Sequence, residues 1–269
     1  MNKLEELKKL RDSLKIEVRG IENYPADEPN ILISNHNCLM DIFYVPMIIP
    51  DNIVSLISPR LLYKKNKDRQ LFVNKYLNSM PIEAHGGRIY SSICLSSAVK
   101  VLCNNVSLNI FPEGAYVEDN VIYRGRTGAS RILFNAREKG TVANLVPVAI
   151  DIDSRNVDMD SYEPLDEKVI INILKPVKYD DSFYEYINSN DRDYRNECLH
   201  KPIDEGMKRI ASSLRRKYVN EYITLNPKNN VMFDDGTVVP SVDAQSIYSV
   251  CKYLEDIEKR RVKILKNIK

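Results

Sequence analysis

An apolar run that ends abruptly in a polar turn constrains the fold of this chain more than any other feature. Residues 31–33 are Ile-Leu-Ile, residues 34–37 are Ser-Asn-His-Asn, and residues 42–45 resume an apolar pattern. This order predicts a buried strand, a tight turn and the first turn of a helix. Asp41 falls in that helical turn, five residues after His36. Because His36 precedes the helix, the carboxylate of Asp41 can reach its ring, which is the arrangement of a general base.

The spacing of His36 and Asp41 carries little weight without this context. Aspartate and glutamate supply 37 of the 269 residues, and His200 is also followed five residues later by an acid, Glu205. His36 differs because it follows an apolar run, whereas His200 lies in a polar region with a helical pattern. Cys38, inside the same turn as His36, is an alternative nucleophile, although no separate base is evident for it.

The composition sets broad limits on function. With 43% hydrophobic and 28% charged residues, the chain is typical of a globular protein with one large domain or one domain with appendages. A net charge of +2 gives no argument for nucleic acid as a partner. The five cysteines form no Cys-x2-Cys pair, which favours a reduced compartment over a zinc site. The three histidines show no ligand spacing, so we expect no metal.

No segment has the pattern of a membrane anchor or a secretory signal. The first 20 residues carry ten charges, and the longest apolar run, residues 42–50, contains two prolines. A spanning helix needs about 20 apolar residues. We therefore expect a cytoplasmic protein that contacts a membrane, if at all, only at its surface.

A second stretch repeats the pattern of a strand followed by a polar turn. Residues 109–114 read Asn-Ile-Phe-Pro-Glu-Gly. Pro112 ends the strand because it lacks a backbone donor, and Gly114 allows the backbone to turn close to a ligand. Glu113 is then expected at the same edge of the sheet as His36.

Together, the two stretches resemble the glycerolipid acyltransferase family, whose type is bacterial 1-acylglycerol-3-phosphate acyltransferase; the resemblance covers roughly residues 30–150. It implies an α/β fold with a central mixed sheet flanked by helices. It also implies transfer of a fatty acyl group from a thioester of acyl carrier protein or coenzyme A to an acceptor, without a further cofactor. In that reaction His36 would deprotonate the acceptor and Asp41 would orient His36. Glu113 and Gly114 would position the acceptor.

Two arginines that hold the acceptor phosphate in this family are missing here. The family's Pro-Ile-Asp-Arg motif corresponds to residues 81–84, where Ala84 replaces the arginine, and Tyr116 stands where a second arginine is expected. Arg88, which follows a Gly-Gly pair, and Arg126 are predicted to bind the acceptor instead. Arg88 could equally cap the helix that follows it. Further basic residues are available at Arg60 and Arg124.

These departures leave several functions open. The first is a lysophospholipid or glycerol-phosphate acyltransferase, and the second applies the same chemistry to an aminolipid, a sugar or a specialised metabolite. A non-catalytic acyl- or membrane-binding protein and a thioesterase are the others. The presence of His36, Asp41 and Glu113 together favours an enzyme.

The flanks of the motif region predict two appendages. Residues 1–20 are expected to hold an amphipathic helix (residues 2–17), residues 21–225 the acyltransferase domain, and residues 226–269 a hairpin and a basic helix. Each terminal helix could dock on the domain or lie on an anionic membrane. The C-terminal helix carries the basic cluster Lys259, Arg260, Arg261, Lys263, Lys266 and Lys269. The basic residues 59–80 are either a solvated surface or a cationic rim that attracts an acyl carrier or anionic headgroups.

Overall fold

The computed structural model describes residues 3–49, 53–58, 67–82, 87–116, 120–152, 168–223, 231–232, 238–239 and 266. Its helices are α1 (Lys3–Asp12), α2 (Asp41–Ile48), α3 (Lys67–Tyr76), α4 (Gly87–Cys103), α5 (Gly128–Glu138), α6 (Asp180–Asn188) and α7 (Arg192–Leu214), with a 3-10 turn at Ile21–Asn23. Its strands are β1 (Ile16–Arg19), β2 (Asn30–Ser34), β3 (Ile53–Ile57), β4 (Asn78–Pro81), β5 (Ser107–Ile110), β6 (Val121–Tyr123), β7 (Asn144–Asp151), β8 (Val169–Ile173), β9 (Lys217–Val219), β10 (Val231–Met232) and β11 (Val238–Val239).

A seven-stranded sheet organises the described part of the chain. Its strand order is β1-β8-β7-β2-β5-β3-β4, and every neighbouring pair is parallel except β7 and β8. Helices cover both faces, so the predicted α/β fold with a central mixed sheet is confirmed. In such sheets the polar turns that follow the central strands form the crevice where ligands bind.

Strand β2 lies in the middle of the sheet and explains why its sequence is a continuous apolar run. It pairs with β7 on one side and with β5 on the other, and all five of its residues are buried. A parallel strand with both faces covered shows such a run because water reaches neither face. Ile33 is opposite Ile110 of β5, so β2 and β5 end at the same edge.

Two apolar cores flank the sheet. Ile31 and Ile33 point into the core formed with α4, α5, α6 and α7, while Leu32 points into the core formed with α1, α2 and α3. This alternation is the two-residue period of a strand. Gly206 lets α7 lie close to β2, since a Cβ there would approach Cδ1 of Ile33 to 2.5 Å. The motif strand is therefore packed tightly on both sides.

The N-terminal helix is shorter than predicted. Helix α1 ends at Asp12, and residues 16–19 form β1, which pairs with β8 at the edge of the sheet. The helical prediction for residues 2–17 is therefore wrong beyond Asp12, because the pairing available from β8 outweighs local helix preference. Leu7 and Leu10 are buried, and Glu6 forms an ion pair with Lys75 of α3 over 3.1 Å. These contacts favour the docked helix over a helix lying on a membrane.

The C-terminal part also differs from its predicted helical pattern. The polar region around His200, which has a helical pattern in the sequence, is helical only as far as Leu214, and β9 then pairs in parallel with β6. Strands β10 and β11 pair antiparallel, as the predicted hairpin requires. The hairpin turn at 233–237 and, apart from Lys266, the predicted helix at 241–269 lie outside the described residues. No helix in the described ranges is both long and apolar enough to span a membrane. The domain boundaries stay a prediction.

Candidate active site

The turn after β2 brings His36 and Asp41 together. Asp41 is the first residue of α2, and its Oδ2 lies 3.2 Å from Nδ1 of His36. The same oxygen accepts the backbone N–H of Asn37 and, over 2.9 Å, that of Cys38. The Asp41 side chain is fully buried. With Nδ1 directed at this carboxylate, Nε2 is the ring nitrogen that can accept a proton.

Aromatic rings enclose the imidazole of His36. The ring of Phe111 stacks on it, with centroids 4.4 Å apart and planes at 27°, and Tyr116 meets it edge-on at 5.6 Å. The His36 side chain is 12% exposed. These contacts limit rotation of the ring and keep one side of it from water. Tyr116 therefore places an aromatic ring beside His36, at a position where the resemblance leads us to expect an arginine.

Glu113 holds the backbone of the histidine turn. Its Oε2 accepts the N–H of His36 over 3.0 Å, and its Oε1 accepts the N–H of Tyr123 over 2.9 Å. Burial raises the pKa of Glu113 to about 8, although these two N–H groups act in the opposite direction. The side chain therefore joins the β2 turn to β6. That Glu113 also contacts the acceptor stays a prediction.

Gly114 and Arg126 lie next to each other beside this turn. Gly114 has φ 80° and donates its N–H to Phe111 over 3.1 Å, while the N–H of Arg126 donates to Pro112 over 2.8 Å. A Cβ on Gly114 would stand 3.1 Å from Nε of Arg126. This Nε is buried and has no hydrogen-bond partner among the described residues. Buried guanidinium N–H groups normally have a partner, so the arrangement favours an anion here.

Cys38 is badly placed to act as a nucleophile. Cys38 is only 1% exposed, and its thiol lies 3.6 Å from Oδ1 of Asp41. Burial, together with the nearby charge of Asp41, raises the pKa of the Cys38 thiol. Since the thiolate is the reactive form, these surroundings disfavour the alternative of a cysteine nucleophile.

His200 does not reproduce the pairing of His36. Its Nε2 lies 2.9 Å from the hydroxyl of Tyr222, while Glu205 accepts from Nε of Arg209 over 2.7 Å. Burial and the charge of Arg124 lower the pKa of His200. Equal sequence spacing thus gives two different structures, because His200 and Glu205 lie on one helix, where residues five apart face different directions.

The structure describes the side chains of only some of the basic residues that were candidates for binding the acceptor. Arg88 lies in the first turn of α4, but its side chain falls outside the described atoms, as do Ala84 and Arg60. Arg124 is already paired, because Nε and Nη2 donate to the two oxygens of Asp204 over 3.0 and 2.8 Å. Arg126 is therefore the candidate whose described contacts suit an anion best.

Three further residues support the turn and were not predicted. The side chain of Asn35 exchanges two hydrogen bonds of 2.9 Å with the backbone of Ile150, and Nδ2 of Asn37 donates to the same carbonyl over 3.1 Å. Arg216 donates to Oδ1 of Asn37 over 2.8 Å. The two asparagines flank His36 in sequence, and buried amides need partners, which is a usable signal. No local signal identifies Arg216, which is 179 residues from Asn37.

Comparison with known proteins identifies the family and the fold of the chain. Residues 15–151, half of the chain, match the protein-family model described as Acyltransferase. Nine chains of solved structures match, among them the 1-acyl-sn-glycerophosphate (LPA) acyltransferase PlsC from Thermotoga maritima. That structure has a TM-score of 0.53 and 19% identity, and the match covers 78% of this chain and 80% of the other. The likeness shows a shared fold. No curated protein matches the sequence.

Proposed function

The chain belongs to the acyltransferase family and is an enzyme, and from that premise we propose that it transfers a fatty acyl group from an acyl carrier protein or coenzyme A thioester to a lysophospholipid or glycerol-phosphate acceptor. The observation that supports this reaction best is the contact between Nδ1 of His36 and the buried carboxylate of Asp41. A histidine fixed in this way has one ring nitrogen available to act as a base.

The proposed reaction is a single displacement. Nε2 of His36 takes the proton of the acceptor hydroxyl as its oxygen attacks the carbonyl carbon of the thioester. The tetrahedral intermediate collapses with cleavage of the carbon–sulfur bond, and the departing thiolate receives the proton. Asp41 stabilises the imidazolium that forms between these steps. General-base catalysis of this kind contributes about 10²–10⁴ in rate.

Arg126 supports the proposal of a phosphate on the acceptor. Its guanidinium lies over the ring of Tyr222, 5.4 Å from the centroid, while its Nε has no partner among the described residues. A phosphate bound there would lie beside Gly114, in the turn that also carries Glu113. Arg88 remains a second candidate for the same anion. We assign Glu113 the task of holding the turn and, with Gly114, of shaping the acceptor side.

Tyr116 favours a second candidate acceptor. Its ring meets His36 edge-on, at the position where the family resemblance leads us to expect a phosphate-binding arginine. An aromatic ring at this position suits an acceptor without a phosphate, such as an aminolipid, a sugar or a specialised metabolite. This alternative keeps the same base and the same thioester donor and changes only the acceptor.

We also propose that the enzyme works in the cytoplasm and meets a membrane only at its surface. The apolar side of α1 is buried through Leu7 and Leu10, so the basic residues 259–269 are the better candidate for the contact. Lysine and arginine near an anionic surface attract it by about 1 kcal/mol each.

The test supplies purified protein with radiolabelled acyl carrier protein or coenzyme A thioesters. The acceptors are lysophosphatidic acid, its dephosphorylated counterpart, and an amino-containing lysolipid, with His36→Ala as the matched inactive variant. Label in the acylated phosphate acceptor supports the first proposal, and label only in another acceptor supports the second. Label released solely as free fatty acid would indicate a thioesterase and would overturn acyl transfer.

A further inference from the structure

We propose that Arg216 is a positioning residue of the acyl-transfer site, which holds the turn bearing His36 and Asp41 in place through Asn37. Arg216 lies beyond residues 15–151, the part of the chain that matches the family model. The inference rests on the transfer reaction proposed above, but it concerns the orientation of His36, which can be measured without any substrate.

The contacts of Arg216 converge on the turn. Nη1 donates to Oδ1 of Asn37 over 2.8 Å, and Nη2 lies 3.3 Å from Oδ1 of Asp151. Only 9% of the Arg216 side chain is exposed. Asn37 in turn donates its backbone N–H to Asp41, the carboxylate that faces Nδ1 of His36. Arg216 is therefore three contacts from the imidazole, and each contact is a hydrogen bond.

The end of α7 places Arg216 at this point. Arg215 has φ 55°, the left-handed conformation that ends many helices, and the N–H of Arg216 donates to Ala211 over 2.9 Å. The chain then continues as β9, whose Val219 is opposite Tyr123 of β6. The sharp turn at Arg215 directs the side chain of Arg216 toward the sheet rather than toward solvent.

The segment after α7, residues 215–219, is also connected to His36 through a second set of hydrogen bonds. Strand β9 pairs with β6, and Tyr123 of β6 donates its N–H to Glu113. Glu113 accepts the N–H of His36. Bidentate bonding of Arg124 to Asp204 attaches β6 to α7 as well. The segment after α7 is thus connected to Asp41 through Arg216 and Asn37. It is also connected to the backbone of His36 through β6 and Glu113.

A purely structural role for Arg216 makes a different prediction. Its other partner, Asp151, has a side chain that is 52% exposed, and ion pairs at such positions contribute little to folding. If Arg216 served only that pair, Asp151→Asn and Arg216→Gln would have the same small effects. If Arg216 positions the turn, Arg216→Gln will change the state of His36 and Asp151→Asn will not.

The experiment compares Arg216→Gln, Arg216→Lys and Asp151→Asn, with Arg209→Gln as a matched loss of an arginine from α7. Ring nitrogen shifts of His36 are read in protein labelled with ¹⁵N-histidine, with His36→Gln identifying the signals. We expect Arg216→Gln to move those shifts away from the Nδ1–H tautomer, and Arg216→Lys to restore them in part. The other two variants should leave them at the wild-type position. Thermal unfolding midpoints are recorded for all variants.

Kinetics provide the second readout. A catalytic group displaced by 1 Å can lose about 100-fold in rate, so we expect Arg216→Gln to lower kcat by about 10-fold or more, with a smaller change in KM for the acyl donor. The effects of Arg216→Gln and Asn37→Ala on kcat should be non-additive in the double variant, because both substitutions break the same Arg216–Asn37 contact. If Arg216→Gln does not fold, Arg216→Lys and Asn37→Ala decide by the same two readouts.

The outcomes separate this inference from the proposed function. If folded Arg216→Gln keeps the wild-type ¹⁵N shifts of His36, the positioning role is overturned, whatever the rates. If Arg216→Gln does not fold, wild-type shifts in both Arg216→Lys and Asn37→Ala overturn it instead. A wild-type enzyme that transfers no acyl group to any acceptor would overturn the proposed function. In that case shifted His36 signals in Arg216→Gln, with unchanged signals in Arg209→Gln and Asp151→Asn, would still support the inference.

Discussion

The backbone N–H of His36 donates to Oε2 of Glu113 over 3.0 Å, so the residue that carries the proposed base is fixed by a second acid from another turn. Asp41 holds the ring from the other side, at Nδ1. The two acids reach His36 because β2 and β5 are neighbouring parallel strands that end together. This pairing gives a physical reason for the two motif stretches to occur in one protein. One turn supplies the base and its partner, and the other fixes the backbone at His36.

The first prediction concerns the base. His36→Ala should lower transfer by about 10²–10⁴, because the acceptor proton then has no base to receive it. His200→Gln is the control, since an amide can still bond the hydroxyl of Tyr222. Circular dichroism and initial rates on the same samples check both variants. A folded His36→Ala protein that keeps more than half of the wild-type turnover would contradict the assignment.

The second prediction concerns Cys38. Cys38→Ala should retain transfer, because the residue acts on Asp41 through its backbone N–H, which alanine keeps. Thiol-directed reagents should react slowly with a cysteine that is 1% exposed. Turnover and the rate of alkylation, followed by mass spectrometry, provide the check. Loss of activity in a Cys38→Ala protein of wild-type stability would reopen the case for a nucleophilic thiol.

The third prediction is a pH dependence of stability. Burial raises the pKa of Glu113 from 4.5 to about 8, so between these values the folded protein binds a proton that the unfolded chain has released. The stability contributed by this group is full below pH 4.5 and is lost as the pH rises toward 8. For this residue alone, the loss at pH 7 is about 3 kcal/mol.

Urea unfolding at several pH values between about 5 and 8 measures this effect. Glu113→Gln cannot ionise, so its stability should fall less over the range than that of the wild type. Glu138→Gln, which removes an exposed carboxylate, should keep the wild-type slope. Equal slopes for wild type and Glu113→Gln would show that Glu113 keeps an ordinary pKa.

Local patterns in the sequence identify most of the motif region and its supporting strands. The strand predicted before the histidine turn is β2, Asn30–Ser34, and the strand predicted before Glu113 is β5, Ser107–Ile110. Buried apolar runs bounded by turn residues are strong signals, because each run must lie between two covered faces. Asp41 at the start of α2 follows from the same reasoning. The enzyme class followed from the resemblance of two turns to a known family.

Non-local contacts explain the differences from those predictions. Residues 16–19 and 217–219 are strands only because β8 and β6 offer them backbone partners, and neither partner is close in sequence. Arg216 and Asn37 meet across 179 residues, so no window of sequence contains both. The described hydrogen bonds of Glu113 go to backbone N–H groups of two separate segments, which no local pattern predicts, and its contact with the acceptor stays a prediction.

The fourth prediction concerns the membrane. Replacing Lys259, Arg260 and Arg261 by glutamine should weaken binding to anionic vesicles, because each charge contributes about 1 kcal/mol and salt screens it. The matched control replaces the exposed Lys8, Lys9 and Arg11 of α1, whose apolar side is already buried. Co-sedimentation at low and high salt measures both variants. A wild-type protein that stays in the supernatant at low salt would remove the membrane from the proposal.

The last prediction concerns the acceptor and compares phosphorylated with dephosphorylated substrates. Hydrogen bonds to charged groups are worth about 1.5–3 kcal/mol, so Arg126→Gln should raise KM for a phosphorylated acceptor by roughly 10- to 150-fold. The KM for the dephosphorylated acceptor should change far less, because it has no anion for Arg126 to bind. Arg192→Gln, an exposed arginine at the start of α7, is the control for loss of one positive charge.

Arg88→Gln completes the comparison, since Arg88 is the other residue expected to replace the missing arginines. If it alone removes the preference for phosphate, Arg88 binds the anion and the role given to Arg126 is wrong. If Arg126→Gln alone removes it, the buried Nε beside Gly114 has found its partner in the acceptor. A wild-type enzyme that uses both acceptors equally would instead support the acceptor without a phosphate, in keeping with the aromatic ring of Tyr116 beside His36.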